Sequence, residues 1–276
     1  MTSLYPFNRI LLATEFTEFD AGAERIAFAM AKHCAVPLRV VVPIGSNPEY
    51  EAEAPELSLR EDQLVAEEVA SLRGRAKTAG VELDVHVRHG MEAHREIVEE
   101  ASAVGADLIV IRRRGKQSFL AKLLVGEMVS KVIRDAHCSV LTVPRNAEFW
   151  QHGILASAGD TPIAQDIAKL AAGIAAVCDL PLTIVSIAEN QAHRARTESI
   201  NASYVALASA LIKRVQGRVC DGDPAMQTIS VARESAADLI VIGRQRYHQI
   251  PFMRGNTSIM QKIIGANDVS TLVIPS

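Results

Sequence analysis

The sequence predicts an α/β fold made of two tandem domains, each a five-stranded parallel sheet with helices on both faces. The first observation is a duplication, because residues 106–144 and 237–275 follow one pattern with Ala237 lying 131 positions after Ala106. The second is that apolar strand-like runs alternate with helical segments in both halves, which is typical of parallel sheets covered on both faces. A repeat of this length indicates a duplicated domain rather than a solenoid unit.

The chain length supports the same organisation. A chain of 276 residues agrees with two domains, since about 150 residues per domain is usual. The polar stretch 145–152 follows the last strand of the first copy. We therefore expect a first domain at residues 1–147 and a second, degenerate domain at residues 148–276.

In the first half, short apolar runs predict strands, and apolar residues at helical spacing predict helices. The second helix is expected to end at Gly80, which would cap it. The predicted strands are 9–13, 38–42, 83–87, 108–111 and 140–143, and the predicted helices are 20–34, about 64–79, 92–104 and 120–134.

The second half repeats this order. Thr161-Pro162 and Asp223-Pro224 each read as an N-cap followed by proline at the first helical position. Ligands of open parallel sheets bind outside the carboxyl ends of the strands. Residues directly after the strands of both halves are therefore the candidates for a binding site.

Composition excludes several classes of function. Apolar residues make up 49% of the chain and its net charge is -3, so we expect neither nucleic acid nor an anionic membrane as a partner. Charged residues and a proline interrupt the apolar segment 167–187, which makes a membrane span unexpected. No signal peptide is recognised, and four cysteines without CxxC spacing indicate a reduced, cytoplasmic setting.

Three motifs carry a resemblance to a known family. They are the strand end Leu11–Glu15, the run Gly105–Ile111 and the run His137–Pro144. With these motifs the chain resembles a tandem universal stress protein. The resemblance implies an adenine-nucleotide hydrolase-like, Rossmann-like fold, and it implies that the fifth strands, 140–143 and 271–274, pair as an intramolecular pseudo-dimer.

The resemblance also implies what an ATP site would need. Members that bind ATP carry Gly-x2-Gly-x9-Gly-Ser/Thr after the fourth strand and an Asp at the end of the first. Glycines let the backbone approach phosphates, and the exposed amides of a helix N-terminus attract them. The first half departs from this pattern, because Arg112 replaces the first Gly, Glu127 replaces the Ser/Thr and ten residues separate Gly115 from Gly126.

The candidate ATP site lies in the first half. The run 112–116 is either a solvated loop or an anion contact, and Gly126 serves either the turn geometry or phosphate contact. Glu15 stands in place of the Asp. The candidate residues are Thr14, Glu15, Val41, Arg112, Gly115, Gly126 and Glu127.

The second half departs further from the pattern. Gly243 matches the first Gly, but Arg246 replaces the second and only eight residues precede Gly255. Ala158 is expected at the acid position. The second half is therefore expected to be structural and unable to bind nucleotide in the family manner.

Three functions remain open at this point. The first is a cytoplasmic, non-catalytic universal stress protein that acts by protein interaction or nucleotide sensing, with an unknown protein partner and a homodimer as further assemblies. The second is an ATP-binding module with slow hydrolysis in the first domain. A true enzyme is disfavoured, because no general base is recognised and His86, His89 and His94 do not form a metal set.

Overall fold

The computed structural model describes residues 6–46, 55–113, 126–244 and 258–275. The strands are β1 (Ile10–Ala13), β2 (Leu38–Gly45), β3 (Leu83–Gly90), β4 (Leu108–Arg112), β5 (Ser139–Val143), β6 (Ile154–Ser157), β7 (Leu182–Ala188), β8 (Val215–Asp221), β9 (Leu239–Gly243) and β10 (Ser270–Ile274). The helices are α1 (Ala21–Cys34), α2 (Pro55–Ala79), α3 (Ala93–Ala103), α4 (Glu127–Asp135), α5 (Ala164–Cys178), α6 (Gln191–Ser209), α7 (Pro224–Glu234) and α8 (Ile259–Ala266).

The ten strands of the described ranges join in one sheet in the order β3-β2-β1-β4-β5-β10-β9-β6-β7-β8. Neighbouring strands are parallel within each half, and β5 pairs with β10 in the antiparallel sense. The predicted fold class, with two five-stranded parallel sheets, is confirmed.

The junction of the halves is symmetric. Leu141 of β5 lies opposite Leu272 of β10, and these two residues are counterparts in the 131-residue repeat. A strand pair in which counterparts face each other is what a local twofold axis requires. The prediction that the two fifth strands meet within one chain is confirmed.

Strand alternation places the cores on the two faces of the sheet. Ile10 and Leu12 pack into one buried cluster, and Leu11 and Ala13 into the other. The first cluster also receives α1, α2, α5 and α6, and the second receives α3, α4, α7 and α8. None of the helices in the described ranges is long and apolar enough to cross a membrane.

Two predicted helix starts have different outcomes. Asp223 caps α7 as expected, because its carboxylate accepts a hydrogen bond from the Met226 amide at 2.9 Å, with Pro224 at the start of the helix. The prediction for Thr161-Pro162 is wrong, since α5 begins at Ala164. The Ala164 amide donates to the Thr161 carbonyl at 3.1 Å, so a turn separates strand and helix there.

The Ala-Asp motif before the fourth strand of each half has a structural role. Asp107 accepts hydrogen bonds from the amides of Asn8 at 2.7 Å and Arg9 at 3.0 Å. Its counterpart Asp238 accepts from the His152 amide at 2.7 Å. Each aspartate therefore fixes the segment that leads into the first strand of its own half.

Two counterpart arginines link the halves. Arg113, directly after β4, donates to the carbonyls of Ile264, at 2.9 Å, and Asn267 at the end of α8. Arg244, directly after β9, donates to carbonyls at the end of α4, those of Ile133 at 2.8 Å, Arg134 at 2.9 Å and Ala136 at 2.8 Å. Each half thus supplies a cation to the C-terminus of the other half's last helix, where the dipole favours positive charge.

A fragment of residues 1–147 is expected to self-associate, because removal of β10 leaves one edge of the apolar strand β5 unpaired. A second copy can replace the missing half through the same symmetric pairing. Size-exclusion chromatography with light scattering measures the mass, and the full chain at equal concentration is the control. A folded monomeric fragment would contradict this expectation.

Candidate functional site

Four of the predicted site residues lie on, or directly after, the neighbouring strands β1, β2 and β4. The Thr14 amide, just after β1, donates to the carbonyl of Val41 in β2 at 3.1 Å. The Thr14 hydroxyl accepts from the Phe16 amide at 3.1 Å. Arg112 ends β4, the other neighbour of β1, so the structure brings Thr14, Glu15, Val41 and Arg112 together.

Arg112 is engaged inside the protein. Its side chain is only 3% exposed. The guanidinium donates to the Glu15 carboxylate and to the Thr17 hydroxyl, and it lies 3.4 Å from Asp20 Oδ2. We call Glu15, Thr17, Asp20 and Arg112 the Arg112 cluster.

The Arg112 cluster holds two carboxylates and one guanidinium, a formal excess of one negative charge. The Thr17 amide and hydroxyl also donate to Asp20 Oδ2, at 2.7 and 2.9 Å. Asp20 Oδ1 and Arg112 Nε are buried without a hydrogen-bond partner in the described part of the chain. Arg112 therefore does not belong to a solvated loop, whereas its contact with an external anion stays a prediction.

The rest of the predicted first-half site is at the start of α4 or outside the described residues. Gly126 precedes α4 with φ -56° and ψ 143°, a conformation that other residues adopt equally well, so the turn does not require glycine there. The Glu127 side chain is 83% exposed and lies 3.1 Å from the Lys131 ammonium. Gly115 lies outside the described residues.

The second half has small residues where the first has the Arg112 cluster. The Ala158 amide bonds the Val185 carbonyl at 3.0 Å, just as Thr14 bonds Val41, which makes Ala158 the counterpart of Thr14. The expectation that Ala158 occupies the acid position is therefore wrong by one residue, and Gly159 is the counterpart of Glu15. By the same offset of 144 positions, Ala164 corresponds to Asp20. The pairing of β1 with β4 and of β6 with β9 makes Gly243 the counterpart of Arg112.

A cavity of about 570 Å³ lies in the second half at the carboxyl ends of β6, β7 and β9. Gly159 and Gly243 both line it. At the corresponding positions of the first half, the Arg112 guanidinium donates to the Glu15 carboxylate, whereas the second half has glycine at both places. The volume is in the range of small-molecule sites.

Much of the cavity wall is aliphatic. It includes side chains of α5, β7, β9 and α8, namely Ile163, Ile167, Ile187, Ile242, Ile259 and Ile263. Polar residues on the lining include Ser157, Ser186, Asp160 and Arg196. Asp160 forms an ion pair with Arg196 of α6 at 2.6 Å.

The sequence contained a signal for this cavity. Comparison of the two halves position by position shows three changes from charged to small residues, at Gly159, Ala164 and Gly243. The duplication makes this comparison possible, but two offsets between the halves are needed. The offset is 144 positions for the first strands, as for Ile10 and Ile154, and 131 positions for the later part of each half, as for Ala106 and Ala237.

Three of the four cysteines are poorly suited to nucleophilic chemistry. Burial raises the pKa of Cys138 to about 12 and the pKa values of Cys34 and Cys178 to about 11. Thiols with such pKa values remain protonated and weakly nucleophilic at neutral pH. Within the described ranges, the histidine, cysteine and carboxylate side chains form no group of three that could hold a metal ion.

Comparisons with known proteins agree with this architecture. The family model of the universal stress protein family matches residues 6–144. A universal stress protein of Methanocaldococcus jannaschii is 27% identical over 143 residues, which cover 50% of this chain and 83% of that protein.

Solved structures show the same fold over the whole length. The crystal structure of a universal stress protein from Archaeoglobus fulgidus has a TM-score of 0.76 at 17% identity, covering 100% of this chain and 99% of that chain. The crystal structure of a functionally unknown protein from Pseudomonas aeruginosa has a TM-score of 0.67 at 19% identity, covering 100% and 95%. With the family match extending over half of its residues, this chain belongs to the universal stress protein family.

Proposed function

We propose that this universal stress protein is a non-catalytic binding protein whose second half takes up a small molecule at the carboxyl ends of β6, β7 and β9. The observation that supports the proposal is the contrast between the halves. In the first half, Arg112 forms ion pairs with Glu15 and Asp20. In the second half, Gly159 and Gly243 border a cavity of about 570 Å³. In this proposal the first half binds no ligand and completes the sheet through the pairing of β5 with β10.

The polar groups around the cavity support binding rather than catalysis. The Ser186 hydroxyl donates to the Ala158 carbonyl at 2.5 Å, and the Ser157 hydroxyl lies 3.1 Å from the Thr228 hydroxyl. His193 is 4.0 Å from its nearest carboxylate partner, Glu189, and both side chains are exposed. Among the described lining residues, no serine is hydrogen-bonded to a base that would activate it.

The location of the cavity supports signalling through a protein partner. The ion pair of Asp160 and Arg196 joins the β6–α5 connection to α6, and both of its side chains are exposed. A ligand beside this pair changes the surface that α6 presents. The proposed output in the stress response is therefore a change in protein interaction.

ATP binding in the first half is the less favoured alternative. It would require Arg112 to leave Glu15 and Asp20, or the nucleotide to approach a cluster with excess negative charge. The Glu127 carboxylate at the start of α4 would also oppose a phosphate there. Any ATP affinity of this half is expected to be on the order of tens of micromolar or weaker.

Native mass spectrometry of the gently purified full chain tests the proposed function. We expect a bound small molecule on the wild-type protein and at least a tenfold lower occupancy for Met260→Trp, which adds volume to the cavity lining. Met226→Trp is the matched control, because Met226 is 64% exposed on α7. Equal ligand retention by wild type and Met260→Trp, or no retained ligand, would contradict the proposal.

A further inference from the structure

We infer that the second-half cavity binds an uncharged, mostly apolar small molecule rather than a nucleotide or another phosphate-bearing anion. The inference rests on the proposed function and specifies the ligand class for the same site. It depends on three properties of the described lining: the state of the nearby helix N-termini, the pairing of its charges and the composition of its wall.

One helix N-terminus beside the cavity is that of α8, where two amides have internal partners. The Ser258 amide donates to the Gln261 side-chain oxygen at 3.1 Å, and the Gln261 amide donates to the Ser258 hydroxyl at 3.1 Å. A phosphate at a helix start is held by free backbone amides. This reciprocal capping uses two of the amides that would serve that purpose.

The starts of α6 and α7 are capped as well. Asn190 accepts a hydrogen bond from the His193 amide at 3.2 Å, and Asp223 accepts from the Met226 amide at 2.9 Å. His193 and Pro224, the residue after Asp223, both line the cavity. The Asp223 carboxylate also supplies the negative charge that a phosphate would otherwise bring to the α7 dipole.

The charges on the lining do not favour an anion. Arg196 is paired with Asp160 at 2.6 Å, and Glu189 adds a second carboxylate to the lining. Lys262 of α8 lies 3.6 Å from Asp223. Two carboxylates and one guanidinium leave the described lining with an excess negative charge when His193 is neutral, which repels phosphate.

The hydroxyls on the lining are largely used within the protein. Ser186 donates to the Ala158 carbonyl and accepts from the Asn201 side-chain amide at 3.0 Å. The Thr197 hydroxyl donates to the His193 carbonyl at 3.0 Å. Since the hydroxyls are mostly satisfied and much of the described wall is aliphatic, the described lining offers a ligand mainly apolar surface.

Fluorescence titration of the full chain with N-phenyl-1-naphthylamine, an uncharged aromatic dye, tests the ligand class. We expect saturable binding with one dye per chain and no displacement by millimolar ATP. Met260→Trp is expected to weaken dye binding at least tenfold, and Met226→Trp to leave it unchanged. Thr161→Trp, at a half-buried lining position in a turn, replaces Met260→Trp if the latter does not fold.

The outcomes separate the two levels of the proposal. ATP that displaces the dye and loses affinity in Met260→Trp would overturn the ligand class while leaving the second-half site in place. Dye binding that neither Met260→Trp nor Thr161→Trp affects would place the dye elsewhere, for instance on the exposed Leu57 and Leu59 of α2, and would overturn the inference. If neither dye nor ATP binds, the proposed function fails with the inference.

Discussion

Arg112→Met is expected to lower the free energy of unfolding by about 3–5 kcal/mol, the usual effect of removing one partner from a buried charge pair. The methionine retains much of the apolar stem of Arg112 but leaves the Glu15 and Asp20 carboxylates without their cation. Asp20 is the more affected carboxylate, because it is almost fully buried. Equilibrium unfolding of the full chain in urea measures the change.

The second half provides the compensating variant. Adding Glu15→Gly and Asp20→Ala to Arg112→Met removes both carboxylates and introduces the small residues that the second half has in their place. This triple variant is expected to regain more than half of the lost stability, because the remaining cost is that of a cavity rather than of unpaired buried charge.

A matched surface substitution is the control for Arg112→Met. Arg134 pairs with Asp135 at 2.7 Å, but its side chain is 66% exposed. Exposed pairs contribute little, so Arg134→Met is expected to change the free energy of unfolding by no more than about 1 kcal/mol. If Arg112→Met costs as little as this control, the Arg112 cluster is not a buried ion-pair network in solution.

The fold was predictable because its determinants are repeated along the chain. Apolar runs such as 108–111 and 140–143 occur twice, and parallel α/β topology follows from their alternation with helices. The pairing of β5 with β10 came from the family resemblance, and the symmetric register of Leu141 with Leu272 agrees with it. The start of α5 is predicted too early, because the pair Thr161-Pro162 is compatible with a turn as well as with a helix N-cap.

The site was less predictable because it depends on contacts between side chains that are far apart in the sequence. Arg112 was interpreted as part of a basic run, although its partners Glu15 and Asp20 are more than ninety positions away in sequence. Local spacing contains no information about such a contact. The assignment of the acid position to Ala158 is wrong for a different reason. The first strands of the two halves correspond at an offset of 144 positions, which the strand register supports and which places Gly159 opposite Glu15 in the comparison.

Arg244→Met is expected to lower the free energy of unfolding by about 2–3 kcal/mol, the contribution of hydrogen bonds to a charged donor. Arg244 Nη1 lies 2.8–2.9 Å from the carbonyls of Ile133, Arg134 and Ala136. These carbonyls are at the C-terminus of α4, where the helix leaves them without internal partners. Because Arg244 belongs to the second half and α4 to the first, the loss weakens the junction as well as the helix.

Urea unfolding measures the total effect, and hydrogen exchange locates it. The amides of α4 are expected to exchange faster in Arg244→Met than in wild type, while those of α1, on the other face of the sheet, keep their relative protection. Arg233→Met, at an exposed position of α7, is the control and is expected to stay within about 0.5 kcal/mol of wild type.

The counterpart arginine gives a second test of the same contact. Arg113 donates to carbonyls at the end of α8, and burial lowers its pKa from the usual arginine value. Arg113→Met should therefore speed exchange in α8 as Arg244→Met does in α4. Lysine at either position should recover only part of the stability, because one ammonium cannot reproduce the geometry of a guanidinium. Unchanged exchange in both helices would show that the two arginines do not hold the halves together.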